Sequence, residues 1–93
     1  MIPIVTDKAL AGMTTLDLLV FEENARQLRK WGVQTHSWFE WLAYLTEETG
    51  EVAKAVSEYV YRQGSLLEIR KEAIQVATLA LKMAEMTFSE EAQ

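Results

Sequence analysis

Four glutamates have the side-chain type and spacing that could do chemistry in this sequence. Glu47, Glu48 and Glu51 lie within a single short segment, and Glu72 follows later in the chain. Carboxylate oxygens are the ligands that Mg²⁺ prefers, and a bound cation offsets the repulsion between converging acids. Convergence of Glu48, Glu51 and Glu72 would therefore predict a metal site suited to phosphate chemistry, in which a metal-bound water is activated.

Helices must position these glutamates, because the chain shows no alternating apolar and polar stretch bounded by turn pairs. Gly32 and Gly64 separate long stretches with an apolar period near 3.6 residues. Ser37 and Ser65 each begin a Ser-x-x-Glu pattern, which is typical of a capping box at a helix start. The sequence predicts an all-α antiparallel bundle of about three main helices, over residues 15–31, 38–63 and 66–88.

Length and composition limit the alternatives. The 93 residues fit one domain over 1–93, in which 1–14 is assigned to an irregular N-terminal arm. A net charge of -5 argues against a nucleic-acid partner, and no apolar run approaches the length of a membrane span. The absence of cysteine excludes thiolate metal sites and cysteine nucleophiles. We expect a soluble, cytoplasmic protein with no membrane partner.

Glu72 is the most informative acid, because it falls inside the apolar arc of its helix. An ionised acid removed from water costs several kcal/mol unless a partner compensates it. Antiparallel pairing of the second and third helices would place Glu48 and Glu51 opposite Glu72. The other interpretation is an ion pair between Glu72 and Arg62 or Lys54, with the remaining glutamates forming a solvated face.

Several other side chains are candidates for holding a phosphorylated ligand. Cations could neutralise phosphate charge, although Lys54 could equally pair with a glutamate along its own helix. Trp38 and Trp41 could stack on a base or lie in the core. Asn24 and Gln27 could read a base edge or make a buried structural hydrogen bond. The cationic candidates are Lys54, Arg62, Arg70 and Lys71.

The segment Leu45–Ala55 resembles the first motif, EExxE, of the MazG-like all-α nucleoside triphosphate pyrophosphohydrolases. Glu72-Ala73-Ile74-Gln75 stands where the second motif of that family, ExxD, is expected. Together with Glu58, the Arg70-Lys71 pair and the upstream tryptophans, the resemblance covers residues 16–88 approximately.

The resemblance implies a Mg²⁺-dependent enzyme, with Mn²⁺ as a substitute, that cleaves (d)NTP between the α and β phosphates to (d)NMP and pyrophosphate. It implies that Glu48, Glu51 and Glu72 are metal ligands and that Glu47 is a further ligand or orients the water. It also implies a homodimer or homotetramer, so that oligomerisation completes a four-helix core. Gln75 departs from the family's aspartate and would offer only an amide oxygen as a ligand. The alternative is a catalytically silent bundle of the same family that binds nucleotide or a partner subunit.

Overall fold

The computed structural model describes residues 13–92, which form three helices. They are α1 (Met13–Trp31), α2 (Trp38–Tyr61) and α3 (Leu66–Ala92). This part of the chain contains no strand, so the predicted all-α class is confirmed. The helix α3 packs against both α1 and α2, whereas α1 and α2 scarcely approach each other. A groove therefore opens between α1 and α2, with α3 as its floor.

The start of α2 is fixed by the predicted capping box. The Glu40 amide donates to Ser37 Oγ at 3.2 Å, and the Ser37 amide donates back to Glu40 Oε1 at 3.0 Å. The Ser37 hydrogen bond lowers the pKa of the Glu40 carboxyl. At α3 the Glu68 amide donates to Ser65 Oγ at 3.1 Å, which is the first half of the second predicted box. Both helices thus begin where the Ser-x-x-Glu patterns place them.

Ser37→Ala is expected to lower the free energy of unfolding by about 1 kcal/mol, because the amide of Glu40 loses its acceptor. Chemical denaturation followed by circular dichroism measures this change. Ser57→Ala, at an exposed position inside the same helix, is the matched control and should change the stability by less than about 0.5 kcal/mol. Equal losses in the two variants would contradict the importance of the cap.

The helix ends differ from the predicted ones. The helix α2 ends at Tyr61 rather than residue 63, because the Arg62 and Gly64 amides both donate to the Glu58 carbonyl and Gln63 adopts a φ of 60°. A Cβ at Gly64 would lie 2.9 Å from the Glu58 carbonyl carbon, so only glycine fits this turn. The helix α3 continues beyond residue 88 to Ala92.

The beginning of α1 also corrects the prediction. Residues 13 and 14, which were assigned to the irregular arm, are helical. Residues 1–12 of that predicted arm lie outside the described residues. None of the three helices has a stretch long and apolar enough to cross a membrane.

Few apolar side chains are buried in the described part of the chain. They are Trp41 and Ala55 on α2 and Leu79 on α3, together with the polar Thr78. The Thr78 hydroxyl donates to the Ile74 carbonyl at 2.7 Å, which satisfies its hydrogen-bonding capacity as a donor. Many large apolar side chains remain on the surface.

Candidate functional site

The centre of the site is the Gln75 side chain, which lies between two glutamates from different helices. In the orientation that satisfies its neighbours, its amide nitrogen donates to Glu48 Oε2 at 3.1 Å and to Glu72 Oε2 at 2.9 Å. Glu48 comes from α2, whereas Glu72 and Gln75 come from adjacent turns of α3. Two of the three carboxylates predicted to converge, Glu48 and Glu72, therefore meet, and a neutral amide joins them. The predicted cluster of three acids with Glu51 is not formed among the described residues.

Burial and neighbouring acids act together on Glu48. Burial raises the pKa of its carboxyl, and the negative charges of Glu72, Glu47 and Glu51 raise it further. The described residues form one ion pair of permanently charged groups, Arg26 with Glu23, and His36 Nδ1 lies 3.4 Å from Glu40 Oε2, so neither Arg62 nor Lys54 compensates Glu72. The site is thus an acidic pair held by one amide, and ionisation of Glu48 is disfavoured there.

Glu48→Gln is expected to remove a pH dependence of stability. The pKa of Glu48 is raised in the native chain above the ordinary value of 4.5. As the pH rises, the unfolded chain therefore loses this proton at a lower pH than the native chain does. The free energy of unfolding then falls as the pH rises from 4.5 through the raised native pKa. Denaturant titrations across this range should show that Glu48→Gln gains stability over wild type as the pH rises. Glu22→Gln is the control, and a parallel gain in that variant would contradict the assignment.

A large groove lies beside this acidic pair. Its volume is about 1120 Å³, and its walls come from α1, α2, α3 and the loop after α1. Both signs of charge line it, with Glu23, Glu47, Glu48 and Glu85 as the acids and Arg26, Lys30, Arg70, Lys71 and Lys82 as the bases. Such a mixture can bind an anionic ligand through its cations while carboxylates hold a metal or a water.

The helix α1 contributes one of the acids of the groove, Glu23. Glu23 makes a bidentate contact with Arg26, with Nε–Oε2 and Nη2–Oε1 distances of 2.7 Å. This hydrogen bond lowers the pKa of Glu23 despite its partial burial. The pKa of Glu23 is therefore lowered where that of Glu48 is raised, and the charge of Glu23 is one of the causes that raise the pKa of Glu48. Arg26 in turn lies 5.7 Å from the ring centre of Trp31.

Lys82 links the floor of the groove to α1. Its Nζ donates to Gln27 Oε1 at 2.6 Å, across the contact between α3 and α1. Burial lowers the pKa of this ammonium group. Gln27, predicted either to read a base edge or to make a structural hydrogen bond, accepts such a hydrogen bond and also lines the groove.

An aromatic cluster closes one end of the groove. The His36 ring lies edge-on to Trp41 at 4.9 Å and to Tyr44 at 5.1 Å between ring centres. Trp41 is buried, as its core interpretation predicts, and it also lines the groove, so stacking on a base stays a prediction. Trp38 is exposed and lies outside the large groove.

The remaining predicted residues divide into two groups. Glu47, Arg70 and Lys71 line the groove. The others are not among its lining residues: Glu51, Lys54, Arg62 and Asn24. The first three of these are exposed. Asn24 Oδ1 is buried and lacks a hydrogen-bond partner within the described residues, so the predicted structural bond to this oxygen is not made.

Whether these residues fit a divalent cation depends on Gln75. Among residues 13–92, no group of three or more His, Asp or Glu side chains is close enough to hold a metal ion together. Two carboxylates do face one point, where the Gln75 amide now donates. Rotation of that amide by half a turn would present its oxygen, which gives a hard cation two carboxylates and one amide oxygen. The chain thus fits one cation, provided that the amide turns.

The comparisons with known proteins add no relative. No family model, no curated protein and no solved structure matches the chain. The resemblance to the MazG-like pyrophosphohydrolases stays a prediction that rests on the motif residues themselves.

Sequence reasoning missed three residues of the site: Glu23, Arg26 and Lys82. A periodicity signal was present for two of them, because Glu23 lies one turn before Gln27 and Lys82 lies two turns after Gln75. The bidentate pair of Arg26 with Glu23 follows from their separation of three residues on one helix.

Proposed function

We propose that this chain is a divalent-cation-dependent nucleotide pyrophosphohydrolase that cleaves (d)NTP to (d)NMP and pyrophosphate. The observation that carries the proposal is the meeting of Glu48 and Glu72, from two helices, at the edge of a groove lined by basic side chains. Either carboxylate alone would be an ordinary surface acid. Their convergence at a groove that Lys71 and Lys82 also line supports hydrolysis of a phosphoanhydride, for which a cation and basic side chains must act on one phosphate chain.

The roles of the residues follow from their positions. Glu48, Glu72 and the Gln75 amide oxygen would hold Mg²⁺ or Mn²⁺, which when bound polarises phosphate oxygens and lowers the pKa of a coordinated water. Glu47 lines the same wall and could accept a proton from the attacking water. Lys71, Arg70 and Lys82 neutralise charge on the departing pyrophosphate. Glu51, which is exposed and outside the groove, would join the metal site only after a side-chain rearrangement.

The groove is large enough for a whole nucleotide. Its volume of about 1120 Å³ exceeds that of a typical small-molecule site. Trp41 and Tyr44 offer aromatic surface at one end, and the lysines line the same groove together with Glu48 and Gln75, whereas Glu72 is not among its lining residues. A base and a triphosphate can thus occupy one continuous groove.

Assembly into an oligomer is part of the proposal. The described chain buries three apolar side chains, and large ones such as Phe39, Leu42 and Val60 lie on its surface. A domain of about 90 residues with so small a core gains little stability from burial alone. A second copy would cover apolar surface and complete a four-helix core.

One observation favours a second candidate, a catalytically silent bundle that binds nucleotide or only a partner subunit. The Gln75 amide donates to both carboxylates, so the pair has a hydrogen-bond partner without a cation. A phosphorylated ligand could still bind the basic side chains of the groove.

Turnover assays separate the two candidates. Pyrophosphate release is measured from a panel of canonical and modified (d)NTPs, with Mg²⁺ and with a chelator. The enzyme should release pyrophosphate from at least one nucleotide with Mg²⁺ and from none with the chelator. A folded protein that binds nucleotides without turning any of them over would support the silent bundle instead.

A further inference from the structure

One face of α2 carries an apolar stripe that lies on the surface of the chain. The stripe, called the α2 stripe below, repeats with alternating steps of three and four residues, which is the spacing of a helix seam that packs on another helix. Its large members are exposed, with exposed fractions of 84% at Phe39, 51% at Leu42, 41% at Val56 and 58% at Val60. The α2 stripe consists of Phe39, Leu42, Thr46, Thr49, Ala53, Val56 and Val60.

The two threonines of the α2 stripe do not make it polar. Thr46 Oγ1 donates to the Leu42 carbonyl at 2.9 Å, and Thr49 Oγ1 donates to the Leu45 carbonyl at 2.8 Å. Because each hydroxyl is satisfied within its own helix, the methyl groups form the outward surface. The α2 stripe carries no charged side chain, although the whole chain has a net charge of -5.

The side-chain sizes along the α2 stripe would fit those of a second copy whose α2 helix runs in the opposite direction. Small side chains occupy its middle, from Thr46 to Ala53, and large ones occupy both ends. Gly50 borders the middle, and a Cβ there would meet nothing within 4 Å in the chain. The chain's own packing therefore does not require this glycine, which costs about 1 kcal/mol in a helix. A glycine at this position would let the backbone of another helix approach closely.

The α2 stripe also faces away from the candidate site. At 100° per residue, its centre lies roughly 160° around the helix from the residues of α2 that line the groove. The exposed parts of its side chains total roughly 500 Å² per chain, so their complete burial in two copies would remove at most about 1,000 Å², the smallest area expected of a specific interface. A contact made here leaves the groove of each copy open.

We propose that two copies of this chain associate through the α2 stripe, with antiparallel α2 helices and a two-fold axis near Thr49 and Gly50. Small side chains then meet small ones at the axis, and Phe39 and Leu42 meet the partner's Val56 and Val60. An isologous contact of this kind is closed, so it stops at a dimer. The inference rests on the proposed assembly and is independent of the proposed hydrolysis.

Cysteine cross-linking tests the geometry directly, because the chain has no cysteine of its own. Thr49→Cys should cross-link to its counterpart under mild oxidation. Leu42→Cys should not, since its counterpart lies about 20 Å away along antiparallel helices, beyond the reach of a disulfide. A mixture of Leu42→Cys and Val56→Cys should give the mixed dimer. Self-linking of Leu42→Cys would overturn the antiparallel arrangement, and no cross-link at Thr49→Cys would overturn the interface.

Light scattering during size-exclusion chromatography measures the assembly itself. Wild type should be a dimer, and Leu42→Glu should weaken association at least 100-fold, because each copy then buries an unpaired charge. Phe88→Glu is the matched control, an exposed aromatic residue of α3 outside the α2 stripe, and should remain a dimer. Circular dichroism checks that both variants stay helical.

The outcomes separate this interface from the other proposals. A wild-type monomer, or loss of the dimer in Phe88→Glu but not in Leu42→Glu, overturns the α2 stripe as the interface. A monomer that still releases pyrophosphate overturns the interface and leaves the hydrolysis standing. A dimer that cross-links at Thr49→Cys without any turnover supports the interface and overturns the hydrolysis.

Discussion

Glu72→Gln is expected to abolish cation-dependent pyrophosphate release, with a loss of about 100-fold or more in kcat/KM. Replacement of a residue that only hydrogen-bonds to a metal ligand already lowers metal affinity or activity 10- to 100-fold. Loss of a charged ligand itself should therefore lower activity by at least about 100-fold. The neutral amide introduced by this substitution has the size of the native side chain, and its oxygen can still accept a hydrogen bond from the Gln75 amide nitrogen. Steady-state pyrophosphate release at saturating Mg²⁺ measures the effect. Glu90→Gln, at an exposed position on the same helix, is the control and should keep the wild-type rate.

The stability of Glu72→Gln separates a metal ligand from a structural ion pair. Glu72 shares the Gln75 amide with Glu48, so it lies beside a like charge rather than a cation. Without metal, the variant should therefore be as stable as wild type or more stable, because one of two repelling acids is neutral. Denaturant titration in chelator tests this. Marked destabilisation would contradict the assignment and point to an ion pair.

Gln75→Asp is expected to tighten Mg²⁺ binding by about 10-fold or more, because a third carboxylate replaces a neutral amide. The same change should destabilise the metal-free chain by about 1–3 kcal/mol. Glu48 and Glu72 then lose their shared donor and gain a further negative neighbour. Isothermal titration with Mg²⁺, and denaturant titration with and without Mg²⁺, measure both effects.

Gln63→Asp is the matched control for this change. Gln63 lies in the turn between α2 and α3 with a φ of 60°, a conformation that aspartate tolerates. Its substitution adds the same charge away from the acidic pair and should leave the Mg²⁺ affinity unchanged. Equal Mg²⁺ affinities in wild type and Gln75→Asp would contradict the placement of Gln75 at the cation site.

The helices and the starts of α2 and α3 could be predicted from local sequence signals, whereas the C-terminal end of α2 depended on a turn conformation that the sequence pattern does not indicate. The Ser37 and Ser65 caps fix helix starts through bonds made within a few residues, so the starts of α2 and α3 were predicted correctly. The end of α2 depends on a turn in which Gln63 takes a positive φ and Gly64 approaches Glu58 closely. Glutamine is not a residue that signals such a conformation, so the predicted helix ran two residues too far.

The candidate site shows a similar division. Helical periodicity placed Glu48 and Glu72 on facing sides of α2 and α3, and the structure brings them together at Gln75. Periodicity could not show that Gln75 would act as a donor to both acids, because the rotation of an amide depends on its three-dimensional neighbours. The contact between Lys82 and Gln27 was missed for the same reason, since it joins residues far apart in the chain.

The measurement that tests the central claim most directly is ³¹P NMR of the products formed from a (d)NTP. Wild type with Mg²⁺ should give nucleoside monophosphate and pyrophosphate in equal amounts, and neither product should appear with the chelator or with Glu72→Gln. Formation of nucleoside diphosphate and orthophosphate, or no Mg²⁺-dependent product from the folded protein with any nucleotide, would contradict the account.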